Sequence, residues 1–353
     1  MPETPQTTDS QPPDDDPLDV VGIGSPLVDV LSRATNEQLA AAGLSRGAME
    51  LVDLAGAETI YAAMGPTIEV SGGSAANTMA GLAALGGRAG FVGKVADDGL
   101  GHVFVHDIRS AGVHYEPVVA VTTADEGPGA EARGTGRCLV LITGDAERTM
   151  ATHLGVATTI VPADVPADLV ARAGVVYLEG YLWDLPPAKA AMRRAIGISH
   201  DHDGSVALSL SDPFCVDRHR RDFLDLLLGD VDVLFGNEEE VTRLFGTPSL
   251  EGALTAAEET GLLVAVTRGA KGSVVLAPRG PVEVPAAPVD RVVDTTGAGD
   301  LYAAGFLYGL THGSGPEDCA RLGSLCAGEV IGHLGARPEA DLRVLAQEVG
   351  LLP

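Results

Sequence analysis

The stretch Asp294-Thr295-Thr296-Gly297-Ala298-Gly299-Asp300 stands directly before the apolar run Leu301-Tyr302-Ala303-Ala304-Gly305-Phe306. The apolar run predicts a helix that begins where the two glycines flank the alanine. The first backbone amides of a helix have no partner inside it, and with the helix dipole they favour an anion. The sequence therefore predicts an anion-binding turn built from the amides of Gly297, Ala298 and Gly299.

Asp300 would lie in the first turn of this helix, beside any bound anion. A carboxylate next to a phosphate is unfavourable for binding alone, because like charges repel. It is expected where a carboxylate takes a proton from a hydroxyl that attacks the phosphate. We therefore predict that Asp300 is the general base of a phosphoryl transfer. The structural alternative is a Gly-rich turn in which Asp300 only caps the helix.

Length and charge limit the class of protein. With 353 residues, 45% of them hydrophobic, the chain can form one large domain with a proper core. The net charge of −26 argues against a nucleic-acid partner, since phosphate backbones need basic surfaces. No apolar run approaches the roughly 18 residues of a membrane helix, so we expect no membrane partner. The N-terminus lacks the basic start and apolar core of a signal peptide, and the four cysteines form no C-x-x-C pair, so we expect a cytoplasmic location. Residues 1–18, rich in Pro and Asp, are predicted to be a disordered acidic tail before a domain at 19–353.

Strands and helices alternate along most of the chain. Strands are predicted at residues 19–24, 67–71, 89–95, 175–178, 206–211, 231–235, 263–267 and 273–277. This pattern predicts an α/β fold, a doubly wound and mostly parallel sheet flanked by helices. Short strands at 115–121 and 138–143 interrupt the alternation. We expect segments at about 30–70 and 113–150 to form a small β-rich lid that excludes water from the site.

A second cluster of small residues, Gly72-Gly73-Ser74-Ala75-Ala76-Asn77, runs into an apolar helix. Glycines let the backbone approach a ligand closely, while Ser74 and Asn77 supply a hydroxyl and an amide. Close helix packing is the alternative interpretation. Asn77 favours a ligand role, because a buried amide needs hydrogen-bond partners.

Two glycines near the N-terminus suggest a different site that we reject. Gly22 and Gly24 follow a predicted strand, as in dinucleotide-binding proteins. Pro26 and Leu27 stand where that fingerprint needs a third small residue and a helix. Asp29, just beyond the strand end, is a candidate ligand group, with a surface acid as the alternative.

Together these motifs resemble the PfkB/ribokinase family of carbohydrate and nucleoside kinases over about Asp19 to Arg337. Asp294 to Asp300 is the more specific motif, and Gly72 to Gly93 is the second. Asn237-x-x-Glu240 resembles the family's magnesium-and-phosphate motif. Thr267-Arg268-Gly269 is similar to its ATP-binding turn.

Within the family, the similarity is strongest to members that act on adenosine. It lies in four stretches: Gly24 to Asp29, Ile142 to Arg148, Ser211 to Phe214 and Asp232 to Glu240. The resemblance implies that ATP phosphorylates the 5′-hydroxyl of adenosine, as in purine salvage, with Mg²⁺ required. Alternatives are a kinase for a free sugar such as ribose or fructose, a kinase for inosine or guanosine, and a non-catalytic nucleoside sensor.

The resemblance also assigns roles to residues. Asp29 would hold the ribose hydroxyls, and Arg148, a turn arginine, would reach the transferred phosphoryl group. The other implied site residues are Gly72, Gly73, Ser74 and Asn77 for the sugar; Met150, Leu154 and Phe214 near the base; Asn237, Thr267, Gly269 and Thr296 for ATP; and Glu240 for Mg²⁺ through water. A monovalent cation such as K⁺ near Asp294, and the choice between monomer and homodimer, stay open.

Overall fold

The computed structural model describes residues 16–120, 134–145 and 147–353. Residues 1–15 of the predicted tail lie outside this part, whereas Leu18 already begins the first strand. No helix among the described residues is both long and apolar enough to cross a membrane.

The described residues form fifteen strands, which are, in chain order, β1 (Leu18–Ile23), β2 (Leu27–Arg33), β3 (Met49–Leu51), β4 (Ile68–Gly72), β5 (Ala89–Val92), β6 (Lys94–Val95), β7 (Val118–Val119), β8 (Gly136–Ile142), β9 (Arg148–His153), β10 (Ala173–Glu179), β11 (Ser205–Ser209), β12 (Val233–Asn237), β13 (Leu263–Thr267), β14 (Ser273–Ala277) and β15 (Gly280–Val284). Their α-helices are α1 (Asn36–Ala41), α2 (Leu54–Ala63), α3 (Ser74–Ala84), α4 (Gly99–Ser110), α5 (Ala167–Ala171), α6 (Pro186–Asp201), α7 (Pro213–Leu227), α8 (Glu238–Phe245), α9 (Leu250–Glu258), α10 (Ala298–Thr311), α11 (Pro316–Val330) and α12 (Leu342–Glu348).

The main sheet has eight strands in the order β15-β14-β13-β12-β11-β10-β1-β5. Strands β5, β1 and β10 to β13 are parallel, and β14 pairs antiparallel with both β13 and β15. The predicted doubly wound, mostly parallel sheet is therefore confirmed. Because β1 has β5 on one side and β10 on the other, the strand order reverses there, and sheets of this kind bind ligands at the carboxyl ends of the strands beside such a reversal.

Both faces of the main sheet are covered by helices. In β1, Val21 and Ile23 pack with α5 to α9 on one face, while Val20 packs with α3, α4 and α10 to α12 on the other. A sheet buried on both faces needs apolar residues on both, so its strands appear as continuous apolar runs.

A separate five-stranded sheet has the order β3-β9-β8-β2-β4. It confirms a smaller sheet beside the main one, although its strands extend from Leu27 to His153 rather than over 30–70 and 113–150. Arg148, predicted in a turn, is the first residue of β9. Pairing with β8 continues back to Arg148, which lies opposite Ile142.

The predicted strand at 115–121 is wrong for its described residues, since only Val118–Val119 is a strand and it pairs with β6. The cause is Tyr115, which is fully buried against Phe91 and Phe104. Its hydroxyl donates to the carbonyl of Gly93. These contacts tie the segment to the main body, and residue 121 lies outside the described part.

Candidate active site

Asp300 is held by two side chains of the second glycine-containing motif. The hydroxyl of Ser74 donates to Asp300 Oδ1 at 2.6 Å, and Asn77 Nδ2 donates to Oδ2 at 3.0 Å. Ser74 and Asn77 are three residues apart at the start of α3, so they share one face of that helix. The two motifs recognised in the sequence therefore form one site.

The environment of Asp300 suits a proton acceptor. Burial raises the pKa of its carboxyl group, while the hydrogen bonds from Ser74 and Asn77 and the charge of Arg337 act in the opposite direction. A carboxylate with a raised pKa is a stronger base toward a substrate hydroxyl.

The turn before Asp300 leaves amide donors available. Helix α10 begins at Ala298, with Gly297 as the N-cap in the left-handed region (φ 78°) and no side-chain cap. A Cβ atom at Gly297 would lie 2.7 Å from the Cβ of Ala336, so only glycine fits. The Ala298 amide has a long 3.3 Å contact to the Thr295 carbonyl oxygen. The amides of this first turn have no acceptor within the helix, which favours an anion here.

Arg148 reaches this turn from the smaller sheet. Its Nη1 donates to Thr296 Oγ1 at 3.0 Å, and its Nη2 lies 2.5 Å from Asp294 Oδ2. The two charged side chains are 10% and 3% exposed, so the ion pair is little screened by water. Asp294 also accepts from the amides of Thr296 and Gly335. Arg148 is thus brought to the anion-binding turn.

Asp29 lies on β2 of the smaller sheet, paired with Val70 of β4 and Cys138 of β8. Burial raises its pKa to about 6, although Arg337 and Arg148 oppose the rise. A Cβ atom on Gly72 would lie 2.6 Å from Asp29 Oδ2, so the carboxylate rests against the Gly72 backbone.

Gly73 continues this close approach. It has φ 96°, and a Cβ atom there would lie 2.2 Å from the Ser25 carbonyl oxygen. The absence of a side chain at Gly73 therefore allows the end of β4 to meet the turn after β1.

Of the three residues expected near a base, Met150 lies on the same face of the smaller sheet as Asp29. Met150 packs with Leu31, Cys138, Val140 and Ile142, an apolar patch that shares the Asp29 face of the smaller sheet. Leu154, just after β9, and Phe214, in the first turn of α7, are not members of this patch. Phe214 is 70% exposed.

The model of the pfkB family of carbohydrate kinases matches residues 51–342 of the chain. The chain belongs to this family. It is therefore an ATP-dependent phosphotransferase.

Solved structures and one curated relative agree with this assignment. Adenosine kinase from Sinorhizobium meliloti is 45% identical, with a TM-score of 0.86 over 94% of this chain and 99% of that one. A probable sugar kinase from Rhizobium etli CFN 42 is 44% identical, with a TM-score of 0.87 over 96% and 100%. Adenosine kinase from Saccharomyces cerevisiae is 29% identical over 338 residues, which cover 90% of this chain and 95% of that protein.

In this pfkB kinase, the residues expected to bind ATP follow neighbouring strands. Asn237 ends β12 and is the register partner of Thr267, which ends β13. Gly269, in the left-handed region (φ 57°), begins the short 3-10 turn Gly269–Lys271. Both strands point their carboxyl ends to the same edge, as expected for nucleotide sites in such sheets. Thr296 lies on the anion-binding turn.

Glu240 fits an indirect contact with Mg²⁺ better than direct coordination. Asn237 caps α8, and its backbone and side-chain nitrogens donate to Glu240 Oε2 at 2.9 Å and Oε1 at 2.6 Å. Burial raises the pKa of Glu240 to about 7. The described residues hold no group of three or more His, Cys, Asp or Glu side chains able to bind a metal. Because both Glu240 oxygens already accept hydrogen bonds from Asn237, Glu240 would act on a Mg²⁺ ion through water rather than bind it directly.

The glycines that suggested a dinucleotide site serve packing. A Cβ atom at Gly22 would lie 2.8 Å from Met79 Cγ. At Gly24 it would lie 2.6 Å from the Cβ of Ala75. Strand β1 and helix α3 therefore pack too closely for side chains at these positions, which is consistent with rejecting the dinucleotide hypothesis.

Two charged residues of the site were not singled out in the sequence. Glu179, at the end of β10, is 2% exposed and accepts from the amides of Ser25 at 3.3 Å and Ala75 at 3.0 Å. Burial raises its pKa to about 7. Its position at the carboxyl end of an apolar strand was the available signal. Arg337, which faces Asp29 and Asp300, belongs to no motif that would have identified it.

Proposed function

We propose that this pfkB kinase transfers the γ-phosphoryl group of ATP to the 5′-hydroxyl of adenosine, giving AMP and ADP. The observation that carries the proposal is the Asp300 carboxylate, held by Ser74 and Asn77 at the start of an uncapped helix. Adenosine as acceptor is supported by the stretches noted in the sequence and by the 45% identical adenosine kinase from Sinorhizobium meliloti.

In the proposed reaction, Asp300 accepts the hydroxyl proton as the acceptor oxygen forms its bond to the γ-phosphorus. The bond between that phosphorus and the bridging oxygen of ATP breaks, and ADP leaves. The amides of Gly297, Ala298 and Gly299, with Arg148 beside them, stabilise the charge on the phosphoryl oxygens. Mg²⁺, when bound with ATP, neutralises part of the phosphate charge.

The acceptor would lie between the two sheets. Asp29 would accept hydrogen bonds from the ribose hydroxyls, and Gly72, Gly73, Ser74 and Asn77 would complete the sugar site. The base would pack on the apolar patch that contains Met150, with Leu154 and Phe214 further out. Phe214 is 70% exposed, and it would become buried only when a ligand binds or the smaller sheet moves.

ATP would lie along the edge formed by Asn237, Thr267 and Gly269, with Thr296 close to its terminal phosphate. Glu240 would act on Mg²⁺ through water. We further propose that the smaller sheet closes as a lid when the acceptor binds, which crystals with and without acceptor would test. We also propose a K⁺ requirement, which cation replacement tests, and a cytoplasmic location, which localisation tests. Light scattering distinguishes a monomer from a homodimer.

A free sugar is the second candidate acceptor. The 44% identical structure from Rhizobium etli is named a probable sugar kinase. Asp29 and Asn77 would bind sugar hydroxyls whether or not a base is attached, because carboxylate and amide groups recognise hydroxyls alike.

A substrate panel tests the proposal. ATP consumption would be measured with adenosine, inosine, guanosine, ribose and fructose in parallel, with the Asp300→Asn variant as control. We expect kcat/KM for adenosine to exceed that for every other acceptor at least tenfold. A higher value for ribose or fructose would replace adenosine with a sugar. ATP consumption independent of all five acceptors would contradict the proposal.

A further inference from the structure

The segment 335–337, which follows α11, contacts the anion-binding turn. The amide of Gly335 donates to Asp294 Oδ2 at 2.9 Å. Ala336 packs directly against Gly297, where an added Cβ atom would lie 2.7 Å away. This segment therefore holds the start of α10 in place.

The same segment contacts the acceptor side through Arg337. Arg337 Nε donates to the Ser71 carbonyl oxygen and its Nη2 to Ser71 Oγ, both at 3.3 Å. The Ser71 amide donates to Asp107 Oδ2 of α4, also at 3.3 Å. Since β4 is at the edge of the smaller sheet, its outward backbone groups need partners from elsewhere. We call Asp107, Ser71 and Arg337 the Ser71 clamp.

The Ser71 clamp acts on the residue proposed to hold the acceptor. Gly72 follows Ser71, and the Gly72 backbone supports the Asp29 carboxylate. The Cγ, Oδ1 and Oδ2 atoms of Asp29 would all lie within 2.8 Å of a Cβ atom added to Gly72. A shift of Ser71 would therefore displace the Gly72 backbone that supports the Asp29 carboxylate. The guanidinium also faces the carboxylates of Asp29, Asp107 and Asp300. Burial lowers the Arg337 pKa only to about 10, so the side chain is cationic at neutral pH.

We propose that Arg337 is a positioning residue, which sets the separation between the acceptor and the transferred phosphoryl group. It does so by joining the anion-binding turn to the acceptor strand β4. This inference rests on the proposed function of Asp29 as the acceptor-binding carboxylate. Arg337 need not touch either substrate.

The first test compares Arg337→Met with Arg343→Met. The control makes the same substitution at an exposed arginine on the nearby helix α12. Kinetics use the acceptor with the highest kcat/KM in the substrate panel. Arg337→Met is expected to raise KM for the acceptor at least tenfold and to leave KM for ATP within twofold. Arg343→Met should change neither. Equal rises in both constants would show that Arg337 does not act selectively on the acceptor side, and would overturn the proposal.

The pH profile supplies a readout that a merely structural role would not move. Asp29 is faced by Arg337, Arg148, Asp294 and Asp300. Loss of one of the two cations should move the acid limb of kcat/KM upward by about 1 pH unit. Arg337→Lys keeps the positive charge but cannot make both hydrogen bonds to Ser71. It should keep the wild-type limb and still raise KM for the acceptor.

A milder variant covers the case in which Arg337→Met does not fold. Ser71→Ala removes only the Oγ acceptor and should raise KM for the acceptor two- to fivefold. In the Arg337→Lys background the same change should have a smaller effect, because the shared contact is already weakened. Unchanged acceptor KM in both single variants would overturn the proposal. If the wild type fails on adenosine but acts on another acceptor, the function proposal fails alone, since this test is run on that acceptor.

Discussion

The side chains of Ser74 and Asp300, 226 residues apart in sequence, are joined by a hydrogen bond of 2.6 Å. The bond links the first turns of α3 and α10, which pack side by side against the main sheet. Because Ser74 binds one carboxylate oxygen and Asn77 the other, the carboxylate cannot rotate freely. Each oxygen keeps a lone pair that can accept a proton from a substrate hydroxyl.

Asp300→Asn should lower kcat by roughly two orders of magnitude or more, because the amide cannot accept the hydroxyl proton. The Kd for ATP should stay within about threefold, since the anion-binding amides are unchanged. Turnover and calorimetric ATP binding measure the two effects.

The matched control for this prediction is Asp225→Asn, which removes an exposed carboxylate from α7. It should retain wild-type turnover. Full activity in Asp300→Asn would remove this carboxylate from the mechanism.

The pH dependence of kcat/KM should reflect two raised carboxyl pKa values. Asp300 must be ionised to accept a proton, and Asp29 to hold the acceptor, so activity is lost as these groups are protonated. Because burial raises the pKa of Asp29 to about 6 and that of Asp300 above its ordinary value, the loss should begin near pH 6 rather than near pH 4. Initial rates between pH 4.5 and 8 measure the limb. Constant kcat/KM down to pH 5 would contradict the raised values.

Glu179→Gln should change how stability depends on pH. The folded chain holds the Glu179 proton more tightly than the unfolded chain, because burial raises the pKa of this carboxyl from its ordinary 4.5 to about 7. Its contribution to stability is therefore fully present below about pH 4.5 and is lost as pH rises through about 7. Relative to the wild type, Glu179→Gln should gain roughly 2–3 kcal/mol between pH 5 and pH 8. Urea unfolding at the two pH values measures this difference, and a constant difference would show that Glu179 does not bind a proton there.

Gly297→Ala should destabilise the protein and reduce turnover. The position has φ 78°, and the new methyl group would meet Ala336 at 2.7 Å. Gly313→Ala is the matched control, because Gly313 also has φ 78° but nothing lies within 4 Å of an added Cβ atom. We expect about 1 kcal/mol for the control and about 1–3 kcal/mol more for Gly297→Ala. Equal melting temperatures for the two variants would show that Ala336 moves aside at little cost.

The central part of the site could be predicted from sequence because local patterns carry it. Asp300 follows a glycine pair at the start of an apolar helix, and Ser74 and Asn77 begin another such helix. Residue spacing fixes which side chains share a helix face. Asn237 was likewise recognisable as a cap from the acidic residues that follow it.

The long-range contacts could not be predicted in this way. Arg337 reaches Ser71 across 266 residues, and no local pattern encodes that contact. Arg148 was expected in a turn because glycine and polar residues precede it, yet pairing with β8 extends the strand. Tyr115 stands before the valine pair Val118–Val119, which favours a strand, but packing against Phe91 and Phe104 decides where its segment lies.

The most direct test of the account is a crystal structure with acceptor and a non-hydrolysable ATP analogue bound together. We expect an Asp300 carboxylate oxygen about 2.6–3.2 Å from the acceptor hydroxyl, with the terminal phosphate on the amides of Gly297 to Gly299. A carboxylate directed away from both the hydroxyl and the phosphate would contradict the assignment of Asp300 as the base.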